Sequence, residues 1–146
     1  MRILGFTKKW SKLNKDIFTT FRFPRKDSDW AVEEVVQICF KPRSKEREIL
    51  GIARIIRKET KDLNKRWSYV AGWNVDGNTP DMITPAEAEN DGFTGQHGGG
   101  DPDKMRQFFL DTYGYSKCKE PINKLTLYWI SKAVKPVLAE EKVDGK

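Results

Sequence analysis

The order of apolar runs in this chain predicts an α+β fold: a small β-barrel or antiparallel sheet of about five to six mostly antiparallel strands, with two or three helices packed beside it. Three observations carry that prediction. Strand-capable runs follow one another through the first half with no long helix between them, which argues for antiparallel pairing. Two later segments carry the start and stop chemistry of helices. Five tryptophans, eight phenylalanines and four tyrosines in 146 residues supply the core of one domain of ordinary size.

The first strand is Ile17 to Arg25. Read with period two, Phe18, Thr20, Arg22 and Pro24 share one face, and Ile17, Thr19, Phe21, Phe23 and Arg25 share the other. Before it, Trp10, Leu13 and Ile17 at i, i+3 and i+7 fit a short amphipathic helix whose lysines, Lys12 and Lys15 among them, form a solvated face. Arg25 to Asp29 is a charged surface loop. Glu34–Phe40 and Ile49–Arg57 are the next strands, joined by a polar hairpin-like connection from Lys41 to Glu48. Trp67–Val75 is an aromatic, strand-capable run followed by an Asp76-Gly77 turn signal.

Thr84-Pro85-Ala86-Glu87 is a capping box with proline at the first helical position, and Gly92 can take the left-handed conformation that stops the helix. The second helix starts at Asp101-Pro102 and ends at Gly114, with Met105, Phe108, Phe109 and Thr112 as its inward stripe. Lys124–Ile130 closes the pattern as a last strand. The domain is read as residues 1–136, with 137–146 a polar tail.

Charge divides the chain unevenly. Residues 1–66 hold 18 Lys or Arg against 9 Asp or Glu, whereas residues 67–146 hold 9 against 12. A basic first half would draw a polyanion such as RNA with salt-dependent affinity, although basic proteins that bind no nucleic acid are common. Cys39 and Cys118 lie far apart without a CxxC spacing and read as reduced thiols of a cytoplasmic protein, with neither metal nor cofactor expected. The start, Met1 to Phe6, is too short and too soon followed by Lys8 and Lys9 for a secretory signal, and no run reaches the ~20 apolar residues of a membrane helix.

Chemistry concentrates at Thr20 and Arg22. A guanidinium offers five fixed donors suited to phosphate or carboxylate, and the neighbouring hydroxyl donates or accepts. The alternative is a strand whose arginine is a solvated surface group. Gly95-Gln96-His97-Gly98-Gly99-Gly100 has the look of an esterase oxyanion loop, but the chain has no G-x-S-x-G elbow and no phosphate loop, so these glycines read as a flexible insertion between helices.

Phe18-Thr19-Thr20-Phe21-Arg22, then Gly51-Ile52-Ala53-Arg54, then Ile83-Thr84 leading to Ala88-Glu89-Asn90-Asp91-Gly92-Phe93, in this order, resemble the ASCH domain over about residues 10–131. The resemblance implies a PUA-like β-barrel with a cleft for RNA or nucleotides. Some members of that family hydrolyse N4-acetylcytidine with a lysine, a threonine and a glutamate, and ribonuclease activity is described for others. Thr20 matches the threonine, and Asp91 stands where the glutamate would. The lysine position, three residues before Thr20, holds Ile17. The family's Gly-Asp before the second strand is replaced by Glu33-Glu34.

The reading that follows is an RNA- or nucleotide-binding module with a basic cleft lined by Thr20, Arg22, Asp91, Lys12, Lys15, Arg25 and Arg54. Arg22 and Asp91 are expected to pair across it, and Trp67, Tyr69 or Trp73 to stack bases or pack in the core. The alternative is a hydrolase, either an amidohydrolase on an acylated pyrimidine or a ribonuclease, with Thr20 and Asp91 catalytic and a displaced lysine.

Overall fold

A computed structural model of the chain describes residues 1–67, 79–95 and 98–133. Five strands form one sheet: β1 (Arg2–Phe6), β2 (Ile17–Arg22), β3 (Val35–Phe40), β4 (Glu48–Lys61) and β5 (Ile122–Lys132). Their order is β1-β3-β4-β5-β2, and the sheet curls into a half-barrel that does not close. Two α-helices accompany it, α1 (Pro85–Asn90) and α2 (Pro102–Tyr113), with 3-10 turns at Ser11–Asn14 and Lys117–Lys119.

Pairing is antiparallel except between β1 and β3, where Leu4 lies opposite Ile38. Residues 2–6 carry too few side chains to announce a strand by themselves. They become one because Leu4 and Phe6 bury against the inner face of the sheet, at 1% and 4% exposure. β4 runs to Lys61, four residues beyond the apolar pattern, because its polar end is held by ions. Lys58 Nζ meets Asp29 at 2.8 Å, Glu59 meets Lys124 at 3.5 Å, and Lys61 meets Glu87 at 2.8 Å.

β2 separates two cores. Phe18 joins Leu4, Phe6, Ile38, Ile55, Leu127 and Trp129 within the curl. Phe21, on the opposite face as period two requires, packs with Ile83, Phe93, Met105, Phe109 and Ile122 beneath the helices. Each fully buried large apolar side chain contributes about 1.5–3 kcal/mol, so β2 is anchored from both sides.

The caps form as the sequence dictates. Thr84 Oγ1 accepts from Glu87 N at 3.1 Å, and Glu87 Oε1 accepts from Thr84 N at 2.9 Å. Asp101 caps α2 by accepting from Lys104 N at 3.1 Å. The inward stripe of α2 is narrower than predicted. Met105 and Phe109 are buried, but Phe108 is 40% exposed and Thr112 is also exposed, because this side of the helix borders a cavity rather than the core.

The segment around Trp10 is a single 3-10 turn rather than an amphipathic helix, since Lys15 already lies in extended conformation. Among the described residues the two ends of the glycine segment after Thr94 are paired. Thr94 and Gly100 form a bridge, Gly95 N donates to Gly99 O at 3.0 Å, and Gly98 and Gly99 have φ of 81° and 70°. The Trp67–Val75 run beyond Trp67, its following turn, His97 and the tail lie outside the described residues. Among the described residues no helix is long and apolar enough to cross a membrane.

Candidate functional site

The half-barrel leaves β1 and β2 as its two edges, and the gap between them is filled by side chains instead of backbone hydrogen bonds. Arg22 lies over the Phe6 ring at 4.6 Å, and Phe6 and Phe18 meet edge to face at 6.4 Å. At this seam, under α2, is a cavity of about 180 Å³. Gly5, Phe6 and Thr7 line it from β1 and its end, Trp10 and Lys12 from the 3-10 turn, and Thr20, Phe21 and Arg22 from β2. Asp91 and Phe93 enter from beyond α1, and Phe108, Phe109, Thr112 and Tyr113 from α2.

Lys12 reaches this place because β5 fixes the turn that carries it. Trp129 Nε1 donates to Leu13 O at 3.1 Å, Trp129 N to Asp16 O at 3.0 Å, and Lys132 Nζ to Asn14 O at 3.2 Å. From the other side, the Trp10 ring lies on Gly92 so closely that a Cβ there would stand 2.7 Å from Trp10 Cε3. Gly92 also has φ of 104°, so the position requires glycine on two counts. Trp10 and Phe93 pack with centroids 5.8 Å apart, bringing the Lys12 turn down on the end of α1.

There Lys12 Nζ donates to Asp91 Oδ1, and the two side chains are 7% and 8% exposed. Asp91 caps the C-terminus of α1, where a carboxylate opposes the helix dipole, so the helix itself gains nothing from its charge. Burial pushes the Lys12 ammonium below its ordinary range, opposed by Asp91. Burial likewise pushes the Asp91 carboxyl up, opposed by Lys12 and then by Arg22. Burial thus works against the charged form of each partner, and the opposite charge beside it works for that form.

Arg22 does not pair with Asp91 as expected. Lys12 occupies that carboxylate, and Arg22 turns to the Phe6 face and donates from Nε to Thr20 Oγ1 at 3.2 Å. Its guanidinium is lowered by burial, while Tyr113 and Asp91 favour its charge. Thr20 is 3% exposed. Since its oxygen accepts from Arg22, and no acceptor for its own proton stands among the described residues, the hydroxyl is free to donate into the cavity.

Four of the seven predicted residues therefore converge: Lys12, Thr20, Arg22 and Asp91. The other three do not. Lys15 is exposed on the far side of its turn. Arg25 pairs with Asp27 at 3.2 Å over the Trp30 ring, and Arg54 faces solvent near Glu33 at 3.9 Å. The cleft is consequently less basic than composition suggests, with two cations set against one carboxylate. Among the described residues its aromatic walls are Phe6, Trp10, Phe21, Phe93, Phe108, Phe109 and Tyr113; Tyr69 and Trp73, expected to stack bases or pack in the core, lie outside the described residues. Of these walls, Phe108 and Phe109 were visible in the sequence as part of the inward stripe of α2.

Ile17 is 49% exposed and does not line the cavity. Among the described residues no three metal-ligating side chains are grouped to hold an ion. Fold and site together define an α+β half-barrel with an aromatic-walled polar pocket at its open seam. Compared with family models, curated proteins and solved structures, the chain matches none of them.

Proposed function

We propose that the seam pocket binds the base of a nucleotide, free or within RNA. One observation carries this reading: a buried Lys12–Asp91 pair and the Thr20 hydroxyl share a cavity walled by aromatic rings. At about 180 Å³ the cavity falls below the ~300–1,000 Å³ of sites for drug-sized ligands, so it suits one planar ring. Phe6, Trp10, Phe93 and Phe109 offer faces and edges for stacking, worth about 1–3 kcal/mol per base. Lys12 and Thr20 supply donors and Asp91 an acceptor for the ring's polar edge. The ASCH resemblance of the Thr20–Arg22 strand and of Asp91-Gly92-Phe93 supports the same ligand class.

Calorimetric titration of the purified chain with the four ribonucleosides tests it. Saturable binding of at least one is expected, reduced about tenfold or more in Lys12→Met and unaltered in Arg54→Ala. Failure of all four to bind would overturn it.

A specific observation favours a second, catalytic reading on the same pocket. In this reading Lys12, hydrogen-bonded to Asp91 in the cavity that holds Thr20, takes the part of the lysine that Ile17 does not supply. An amine with its basicity lowered by burial can take the proton from an attacking hydroxyl or water and return it to the leaving nitrogen of an amide, with Asp91 balancing the charge. Hydrolysis of N4-acetylcytidine by the wild type, abolished in Lys12→Met, is the expected result. Ile17→Lys should not change the rate, because that side chain lies outside the pocket. Activity that survives in Lys12→Met would refute the replacement.

A further inference from the structure

A second concavity opens on the same seam. It is larger, about 590 Å³, and its walls include Arg22, Lys41, Pro42, Arg43 and Ser44. The two cavities share Gly5, Phe6, Thr7 and Arg22, so the Arg22–Phe6 stack is the partition between them. We infer that this groove is a phosphate subsite, and that the ligand of the seam pocket is a phosphate-bearing nucleotide rather than a free nucleoside; the inference rests on the base-binding reading above.

The groove has the chemistry of a sugar-phosphate. Its floor is the Pro42 ring packed on Gly5, where an added Cβ would stand 2.6 Å from Pro42 Cγ, leaving an apolar shelf for a ribose. Around that shelf stand three cations, Arg22, Lys41 and Arg43, against the single carboxylate of Glu46. Arg43 is exposed and has no ion-pair partner among the described residues. Lys41 pairs with Glu46 at 2.7 Å, but both side chains are well exposed, at 38% and 68%, and a pair so placed is weak enough for a dianion to displace.

The backbone reinforces the assignment. Lys41 has φ of 45°, a conformation a lysine adopts only when its surroundings impose it. What imposes it is the bond from Lys41 N to Phe6 O at 2.7 Å, together with the turn in which Ser44 N donates to Lys41 O at 3.1 Å. These bonds fix the backbone of the Lys41–Ser44 turn, whose Lys41 and Arg43 line the groove, and tie it to the β1 wall of the base pocket. A guanidinium fork and an ammonium held in this way suit phosphate better than any neutral group.

The test is a titration of the full chain with each ribonucleoside and its 5′-monophosphate. For the base that binds, the monophosphate should bind at least ~10-fold more tightly, as one or two charge-assisted hydrogen bonds supply. In the double variant Lys41→Gly, Arg43→Ala the ratio of the two affinities should fall toward one, glycine being at ease with positive φ. Arg57→Ala, on the exposed face of β4, is the control for general charge. A hexaribonucleotide of the same base separates sources of the phosphate: tighter binding than the monophosphate means that a strand runs along the groove, and equal binding means a free nucleotide. Equal affinity for nucleoside and monophosphate would overturn the subsite while leaving the base pocket standing. Failure of both to bind would remove the pocket and the subsite together.

Discussion

The Lys12–Asp91 pair gives the sharpest test of how this site is built. Both side chains are withdrawn from water, so removing one leaves an uncompensated buried charge, which costs about 3–5 kcal/mol. That is a large share of the ~5–15 kcal/mol that stabilises a domain. Replacing both with apolar groups of similar shape, Lys12→Met with Asp91→Leu, removes the two desolvation costs together and is expected to restore most of the loss. With an m-value of roughly 2 kcal/mol per molar urea, each single variant should lower the unfolding midpoint by about 2 M, and the double variant by less than either. A double-mutant cycle in urea, followed by tryptophan fluorescence, isolates the coupling. The double variant should be well folded yet unable to bind the ligand, which separates the pair's role in the site from its role in the fold. Single variants within about 0.5 kcal/mol of wild type would refute the reasoning, since that is the behaviour of surface substitutions.

Two further outcomes follow from the geometry. Gly92→Ala forces a Cβ to within 2.7 Å of the Trp10 ring at φ 104°, so it should cost about 1–3 kcal/mol in thermal or urea unfolding and also weaken nucleoside binding, because displacing Trp10 displaces Lys12; a silent substitution would contradict the packing. Arg2 clamps Glu34 through Nε and Nη2, both at 2.6 Å, and this hydrogen bonding holds the carboxyl below its ordinary 4.5. A depressed folded-state value stabilises above 4.5 and is lost as pH falls through the lower value, so the advantage of wild type over Glu34→Gln in urea midpoint should be present at pH 7 and shrink on acidification below 4.5; an advantage independent of pH would refute the clamp.

What the sequence disclosed and what it hid follow from the range of the interactions. α1 and α2 were readable because Thr84, Glu87, Asp101 and Pro102 act on backbone within a few residues. β2 and β5 were readable from their alternation, and β3 from its β-branched residues. β1 was not, since its strand character depends on β3, more than thirty residues away. The polar end of β4 was missed for the same reason: the ions that hold it come from Asp29, Glu87 and Lys124.

Within the site, Thr20 and Arg22 were legible as a polar pair on a strand otherwise apolar. Asp91 was legible only through the family resemblance. Lys12 was named among the cleft's basic side chains but as part of a solvated face, and its burial could not be seen locally. The residues that bury it, Trp10 and Asp91, stand on either side of a chain separation of about eighty residues. Arg25 and Arg54 were misplaced because charge counts do not tell a cation in a pocket from one beside its own acid.

The strand order has a kinetic consequence. Among the described strands β2, which carries Thr20 and Arg22, pairs only with β5, where Thr20 lies opposite Leu125. The turn that carries Lys12 is likewise tied to Trp129 and Lys132. Among the described residues none lining the base pocket lies beyond Tyr113, yet the pocket has no shape until residues 122–132 have been synthesised and have crossed back to the first quarter of the chain. Closing loops of about a hundred residues is slow, and until then β2 waits with both apolar faces bare. The pocket is thus among the last features to be completed during synthesis, although Lys12, Thr20 and Arg22 are all made within the first twenty-two residues.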